Sequence, residues 1–165
     1  KLVVLTHLHL DHTDGLKFFP KQEVMVAANE YRYAKNNMAS TYPNWFKPNK
    51  VHFRSNAIEV FNEAYPITLA GDLLYVPTPG HTTGHSSVIF KTDEYDIIFA
   101  GDASYTQEQV LVSELAGVHV HYMKAVNTYR NLLNYAAVRK SIYLPTHDEH
   151  AAKRLIEKIF LIAHP

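Results

Sequence analysis

Residues 7–12 read His-Leu-His-Leu-Asp-His, and three later segments carry side chains of the same kind: His81 in PGHTTGH, Asp102 in AGDASY and His147 in PTHD. Together His7, His9, His12, His81 and His147 supply five imidazoles, and Asp11 and Asp102 supply two carboxylates. Such a set can make two adjacent metal sites that share one acid. In an extended segment, residues i and i+2 point to the same side, so His7 and His9 can reach one ion together. If the chain turns between Asp11 and Gly15, Asp11 and His12 address a second ion beside the first. A shared carboxylate from Asp102 would hold the two ions roughly 3.5–4 Å apart, the separation used in two-metal hydrolysis. Imidazole suits zinc, and one carboxylate per ion is compatible with it. Two such ions lower the pKa of a bridging water, so hydroxide becomes available near pH 7.

The elements that must aim these loops follow from the hydrophobic pattern. Leu2–Leu5 reads as a buried strand running into the first His-rich loop. Leu16–Phe19 reads as a helical turn before Pro20, Glu23–Ala27 as a strand, and Glu30 to about Ala39 as a helix. Short strands are expected at Val51–Phe53, Ile58–Phe61, Ile67–Leu69, Leu73–Val76, Ser86–Phe90, Ile97–Ala100 and Ser141–Leu144. Ala125–Arg139 has its apolar positions at the spacing of a helix with one buried face, and Ala151–Ile162 is expected to close the chain as an amphipathic helix. Strands alternating with helices indicate α/β architecture. Each motif falls just after a strand, so one rigid sheet can aim all the loops at one crevice.

Composition narrows the function classes. The 165 residues suit a single domain spanning 1–165. Lys plus Arg and Asp plus Glu each number 16, which argues against a nucleic-acid partner. No run of about eighteen apolar residues is present, so no membrane span is expected. With no secretory signal in view, a cytoplasmic location is the expectation. There are no cysteines. Disulfides, thiolate zinc sites and a cysteine nucleophile are therefore excluded together.

The order of the four motifs, across residues 7 to 147, resembles the metallo-β-lactamase superfamily. THLHLDHTDG is similar to its signature loop, PGHTTGH to its second zinc motif, AGDASY to its bridging-aspartate motif and PTHD to its final histidine. The resemblance implies an α/β/β/α sandwich with two Zn2+ ions, iron or manganese being the alternatives. It implies that His7, His9 and His81 hold one zinc, that Asp11, His12 and His147 hold the other, and that Asp102 bridges them. Asp102-Ala103-Ser104-Tyr105 is similar to the N-acyl-homoserine lactonase branch, where the matching tyrosine hydrogen-bonds the substrate carbonyl. Tyr105 and Asp11 are the implied catalytic residues, Asp11 combining ligation with receipt of a proton. The implied activity is a dinuclear zinc hydrolase that attacks a small-molecule lactone or ester carbonyl with a bridging hydroxide. The alternatives are a thioester hydrolase of glyoxalase II type and a metal-binding remnant or half-assembly without turnover. The flavodiiron branch has Glu in place of His9. True metallo-β-lactamases usually lack the bridging aspartate, and ribonuclease Z fits poorly with a neutral chain.

Further residues take supporting roles. His85 is expected to be structural rather than a ligand. Asp148 either orients an imidazole or caps the last helix. His119 and His121 lack a following Asp-His and belong to a loop or a helix start. Tyr31, Tyr33, Tyr42, Trp45 and Phe46 either pack in a core or line a wall for an acyl chain. Family members carry a substantial segment before the His-rich loop, whereas only Lys1–Thr6 precede it here. The expectation is a sandwich truncated at its N-terminus, with an uncovered sheet through which a homodimer would form.

Overall fold

The computed structural model describes residues 1–37, 42, 45–58 and 61–162. Strand β2 (Glu23–Ala27) shows how its layers arise. Alternate side chains of a strand point to opposite faces. Val24 and Val26 therefore join Leu5, Leu8, Leu16, Ala34 and Phe46 in one apolar cluster, while Met25 and Ala27 join Val51 and Tyr75 in another. Strands β1 (Leu2–Val4) and β3 (Asn49–Val51) flank β2 in a three-stranded parallel sheet of order β1-β2-β3. Its outer face is covered by helix α2 (Ala28–Asn37), the one-turn helix α1 (Leu10–Thr13) and a 3-10 turn over Asp14–Phe18.

The second sheet has six strands in chain order: β4 (Arg54–Ile58), β5 (Phe61–Pro66), β6 (Leu73–Pro77), β7 (Ser86–Lys91), β8 (Asp96–Gly101) and β9 (Ser141–Pro145). Neighbours are antiparallel except β8 and β9, which run parallel in the register Ile98↔Tyr143. The parallel pair requires a crossover, which holds α3 (Gln107–Leu111) and the long α4 (Tyr122–Val138). Leu74, Val76, Ile89, Ile98 and Tyr143 pack against Val110, Tyr129, Leu132, Tyr135 and Ala136. The layers thus run α2, small sheet, large sheet, α4, which is the α/β/β/α order expected from sequence. Between the sheets, the buried Tyr75 hydroxyl accepts from the Ala27 N–H at 3.1 Å and donates to the Leu5 carbonyl at 2.7 Å. One phenol so fixes the large sheet against the C-terminal ends of β1 and β2.

Several boundaries differ from the sequence reading. Ile67–Leu69 is a turn, and the strand is Phe61–Pro66 instead. Leu69 is fully exposed, and Gly71 at φ 71° closes the reversal into β6. Leu69 was apolar without having a face to bury. Of the expected Val51–Phe53 strand only Val51 is in a strand, the end of β3; His52 and Phe53 link it to β4, which belongs to the other sheet. The last helix, α5 (Ala151–Glu157), stops at Lys158 in the left-handed region, and the chain then crosses to bury Leu161. Leu161 N–H donates to the Ser141 carbonyl, so the final apolar residues pack as a strap rather than as helix. Ala39, the expected end of α2, lies outside the described residues. Among those residues, no helix is long and apolar enough to cross a membrane.

Leu132 is 0% exposed at the centre of the contact between α4 and the large sheet. Leu132→Ala should lower unfolding free energy by about 2–5 kcal/mol, since truncation leaves a cavity the sheet cannot fill. Urea denaturation measures this, and a loss near zero would contradict the packing.

Candidate metal centre

All four motifs emerge at one end of the two sheets. The segment after β1 stays extended through His9, at φ −68° and ψ 157°. His7 and His9 turn toward the cluster, while Leu8 between them is buried in the small-sheet core. The single turn of α1 then swings Asp11 and His12 sideways. The loop between β6 and β7 supplies His81, the end of β8 supplies Asp102, and the end of β9 supplies His147. Hydrogen bonds lock these loops together: Ser86 N–H to the Thr6 carbonyl and Thr146 N–H to the Gly101 carbonyl, each 3.0 Å. Gly101 has φ +59°, and a Cβ there would lie 2.7 Å from Thr6 Cβ and 2.8 Å from His85 Nε2. A side chain at this position would therefore both strain the backbone and push the loops apart.

The seven sequence-predicted donors come together in two groups. In one, His9 Nδ1 lies 3.1 Å from His7 Nε2 and 3.0 Å from His81 Nε2. In the other, His12, His147 and Asp11 gather with Asp102. Asp102 Oδ1 is 3.2 Å from His12 Nε2, and Asp102 Oδ2 is 3.2 Å from His147 Nε2. The same Oδ2 is 3.4 Å from His81 Nε2 and 3.9 Å from His7 Nε2, so Asp102 faces both groups. A tetrahedral zinc with bonds of about 2.0–2.1 Å spaces its donors about 3.3 Å apart, which these separations bracket. His12 Nε2 and Asp102 Oδ1 are buried and, though 3.2 Å apart, form no hydrogen bond. Leaving buried polar atoms so costs about 1–3 kcal/mol each, and a cation between them would satisfy both. The donor set fits a divalent ion in each group.

Protonation favours the same use at His7 and His81, whereas an ion at His12 must displace a more firmly held proton. Burial and the neighbouring imidazoles drive the His7 pKa far below the ordinary imidazole value, and burial pushes His81 down to about 4. Both rings are neutral at pH 7. His81 Nδ1 lies 2.9 Å from the Val118 carbonyl, to which it donates, so its lone pair sits on Nε2 facing the cluster. Burial opposes charge on His12 and on Asp102, yet their mutual proximity wins: His12 is raised and Asp102 lowered. The two groups differ in access. The side chains of His7 and His81 are at most 1% exposed, whereas those of Asp11 and His147 are 58% and 42% exposed.

Tyr105 stands over the seam, its ring 5.1 Å from that of His147 and 5.9 Å from that of His81. Its backbone N–H donates to Gln109 Oε1 at 2.8 Å, and Thr106 with Gln109 forms a capping box that starts α3. Burial and the charges of Asp102 and Asp11 raise its pKa, so the hydroxyl keeps its proton at neutral pH.

The supporting residues sort as follows. His85 is fully buried with both ring nitrogens occupied: Nδ1 donates to the Thr78 carbonyl at 3.1 Å, and Nε2 accepts the Asp102 N–H at 3.0 Å. It holds the Asp102 backbone and has no free lone pair. Asp148 does not face an imidazole. It accepts from Arg154 Nη2 at 2.5 Å, from Gln107 N–H at 3.0 Å and from His150 N–H at 2.9 Å, joining the starts of α3 and α5. His121 is the N-cap position of α4, and the buried His119 ring packs 6.1 Å from that of His81. Tyr31, Tyr42, Trp45 and Phe46 pack on the small-sheet core. The sequence reading missed Glu30, noted there only as the start of a helix. Its buried carboxylate accepts from the Leu8 N–H, the Thr82 hydroxyl and the Gly84 N–H at 3.0, 2.7 and 3.0 Å. No local pattern marks such a residue, because its partners lie 22 to 54 positions away.

The family model of the metallo-beta-lactamase superfamily matches residues 1–147. The chain belongs to that superfamily. It is 29% identical over 164 residues to the N-acyl homoserine lactonase AttM of Agrobacterium fabrum, covering 92% of this chain and 59% of that protein. It is also 29% identical over 147 residues to an N-acyl homoserine lactonase of a Bacillus species, covering 88% of this chain and 55% of that one. The chain thus spans under two thirds of the length of these superfamily relatives. Among solved structures, an N-acyl homoserine lactone hydrolase with the product N-hexanoyl-L-homoserine at its catalytic metal centre superposes with a TM-score of 0.74 at 22% identity, over 92% of this chain and 57% of that one. AidC, a dizinc quorum-quenching lactonase, gives 0.66 at 15% identity, over 90% and 57%. These structures establish the shared fold.

Zinc at a hundred times its dissociation constant should add about 2.7 kcal/mol of stability per occupied group. Asp102→Ala should abolish most of that gain. Thermal melts with and without zinc test this, and a melting temperature indifferent to zinc would refute the fit.

Proposed function

We propose that this chain carries the metal centre of a dinuclear zinc hydrolase that opens lactones, with N-acyl homoserine lactones as the favoured substrates. The observation that carries the reading is the pair of donor groups joined at Asp102, with the Tyr105 ring beside the seam. His7, His9 and His81 would hold one ion, and Asp11, His12 and His147 the other, with Asp102 shared. Zinc suits this set of imidazoles and carboxylates, with iron or manganese as alternatives. Bound ions would supply Lewis acidity and an activated water at neutral pH.

The chain's own residues do the rest. The exposed side of the Asp11–His147 group admits the substrate, the other group being the more buried of the two. Tyr105 donates its O–H to the carbonyl oxygen as negative charge develops there. Asp11 would take the proton of the attacking water and return it to the alkoxide released when the ring C–O bond breaks. The lactonases named above, one of them a dizinc enzyme, support this choice of metal and substrate. A thioester hydrolase would use the same donors, so the substrate needs its own test. Because β1 lies at the end of its sheet, we also propose a homodimer paired through that edge. Light scattering should give twice the chain mass, and a monomer at high concentration would refute the pairing.

A panel of acyl homoserine lactones and thioesters should show turnover of the lactones. Tyr105→Phe should lower kcat/KM by about a hundredfold, and Asp102→Ala should abolish turnover. Faster thioester cleavage would favour the glyoxalase II type of activity. No turnover by a zinc-loaded chain would favour a metal-binding remnant or half-assembly.

A further inference from the structure

Glu30 is a buried acid outside both donor groups, at 1% exposure. It lies in the first turn of α2, which follows β2 without a loop. Helical side chains lean toward the helix N-terminus, and here that end faces the loops leaving β1 and β6. One carboxylate oxygen accepts from Leu8 N–H, the residue between His7 and His9. The other accepts from the Thr82 hydroxyl, next to His81, and from Gly84 N–H. Only a carboxylate offers two acceptor oxygens and no donor, which is what two converging backbone N–H groups and a hydroxyl require. Gly84 lets the loop come this close, since a Cβ there would sit 2.2 Å from the Glu30 backbone nitrogen.

Two of the three bonds fall on residues next to His7, His9 and His81, and the third, from Gly84 N–H, lies on the loop that bears His81. Leu8 shares its segment with Asp11 and His12, but the turn of α1 carries those two away from it, and no bond falls on the loops bearing Asp102 or His147. We infer that Glu30 is the positioning residue of the His7–His9–His81 group, setting the separation of its two loops and hence the affinity of that one ion. The inference rests on the two-ion reading above. Glu30→Gln is the sharpest probe. A glutamine amide presents one oxygen and one NH2, so whichever way it lies, an NH2 must face either the Leu8 or the Gly84 N–H.

The test is a zinc titration of the full chain, followed by competition with a chromophoric chelator and without reference to turnover. Wild type should bind two equivalents. Glu30→Gln should weaken one binding step about 10- to 100-fold, as loss of groups that orient ligands does, while the other moves less than about threefold. Gly84→Ala should reproduce this split with the carboxylate intact. Leu132→Ala, destabilised elsewhere, should bind both ions as wild type does, which separates positioning from general loss of stability. Equal weakening of both steps in Glu30→Gln, or two unchanged steps in both loop variants, would overturn the inference. Fewer than two equivalents in wild type would instead overturn the two-ion reading.

Discussion

The carboxylate of Asp102 lies within 3.9 Å of imidazole nitrogens from four residues that arrive on three other loops. Neutral imidazoles with lone pairs aimed at one another do not attract, and a buried acid among them must be held against its own desolvation. The surrounding fold supplies that constraint. Asp102 follows a glycine with φ +59°, its N–H is fixed by His85, and the β8–β9 pair delivers it beside His147. Tyr75 then ties the large sheet to the segment that becomes the His-rich loop. The sandwich therefore does more than bury apolar area. It opposes the tendency of the donor loops to separate.

The two donor groups are held by different means, and this follows from their surroundings. In the His7–His9–His81 group His7 and His81 are buried, so its orientation can be set by shielded hydrogen bonds such as His81 to Val118 and the three that Glu30 accepts. Asp11 and His147 are open to water, where similar bonds would be weakened by competition. Their placement rests on backbone geometry instead, on the turn of α1 and on the end of β9. A rigid half beside an accessible half suits a centre that must keep its ions while admitting a substrate.

How much of this was legible in the sequence depends on the range of the signal. Four of the seven donors were legible because their spacing is local: His-x-His-x-Asp-His carries its geometry in six residues, while His81, Asp102 and His147 were assigned through the motifs of the resembled superfamily. The α/β class was legible from strands alternating with helices, whereas the α/β/β/α layer order was implied by the family resemblance; in the structure Val24 to Ala27 and Leu74 to Val76 divide between the two faces of their strands. The turn at Ile67–Leu69 was not, because apolar residues without a neighbouring surface look the same in sequence as those with one. Glu30 was hidden for the opposite reason. Its role depends wholly on two loops distant in the chain, and in its own helix it reads as an ordinary acidic residue near an N-terminus. Asp148 showed the same limit. Two local roles fitted it equally; the structure keeps it at the start of the last helix, through His150 N–H, and adds a link to Gln107, 41 residues away.

A general point follows from Glu30 and His85. Both are buried, ionisable and next to the cluster, and each is spent on backbone N–H groups rather than on the centre itself. By side-chain chemistry alone His85 in PGHTTGH could serve as a donor, and its hydrogen bonds bear out the structural role expected of it. An imidazole with one nitrogen donating to Thr78 and the other accepting from Asp102 has no lone pair left for a metal. The carboxylate of Glu30 is engaged on both oxygens in the same way. Counting lone pairs against fixed partners therefore separates the residues that can bind an ion from those that hold the binders still. Among the residues described, the seven donors are those whose atoms also gather in groups; His119, with neither ring nitrogen hydrogen-bonded, lies outside them.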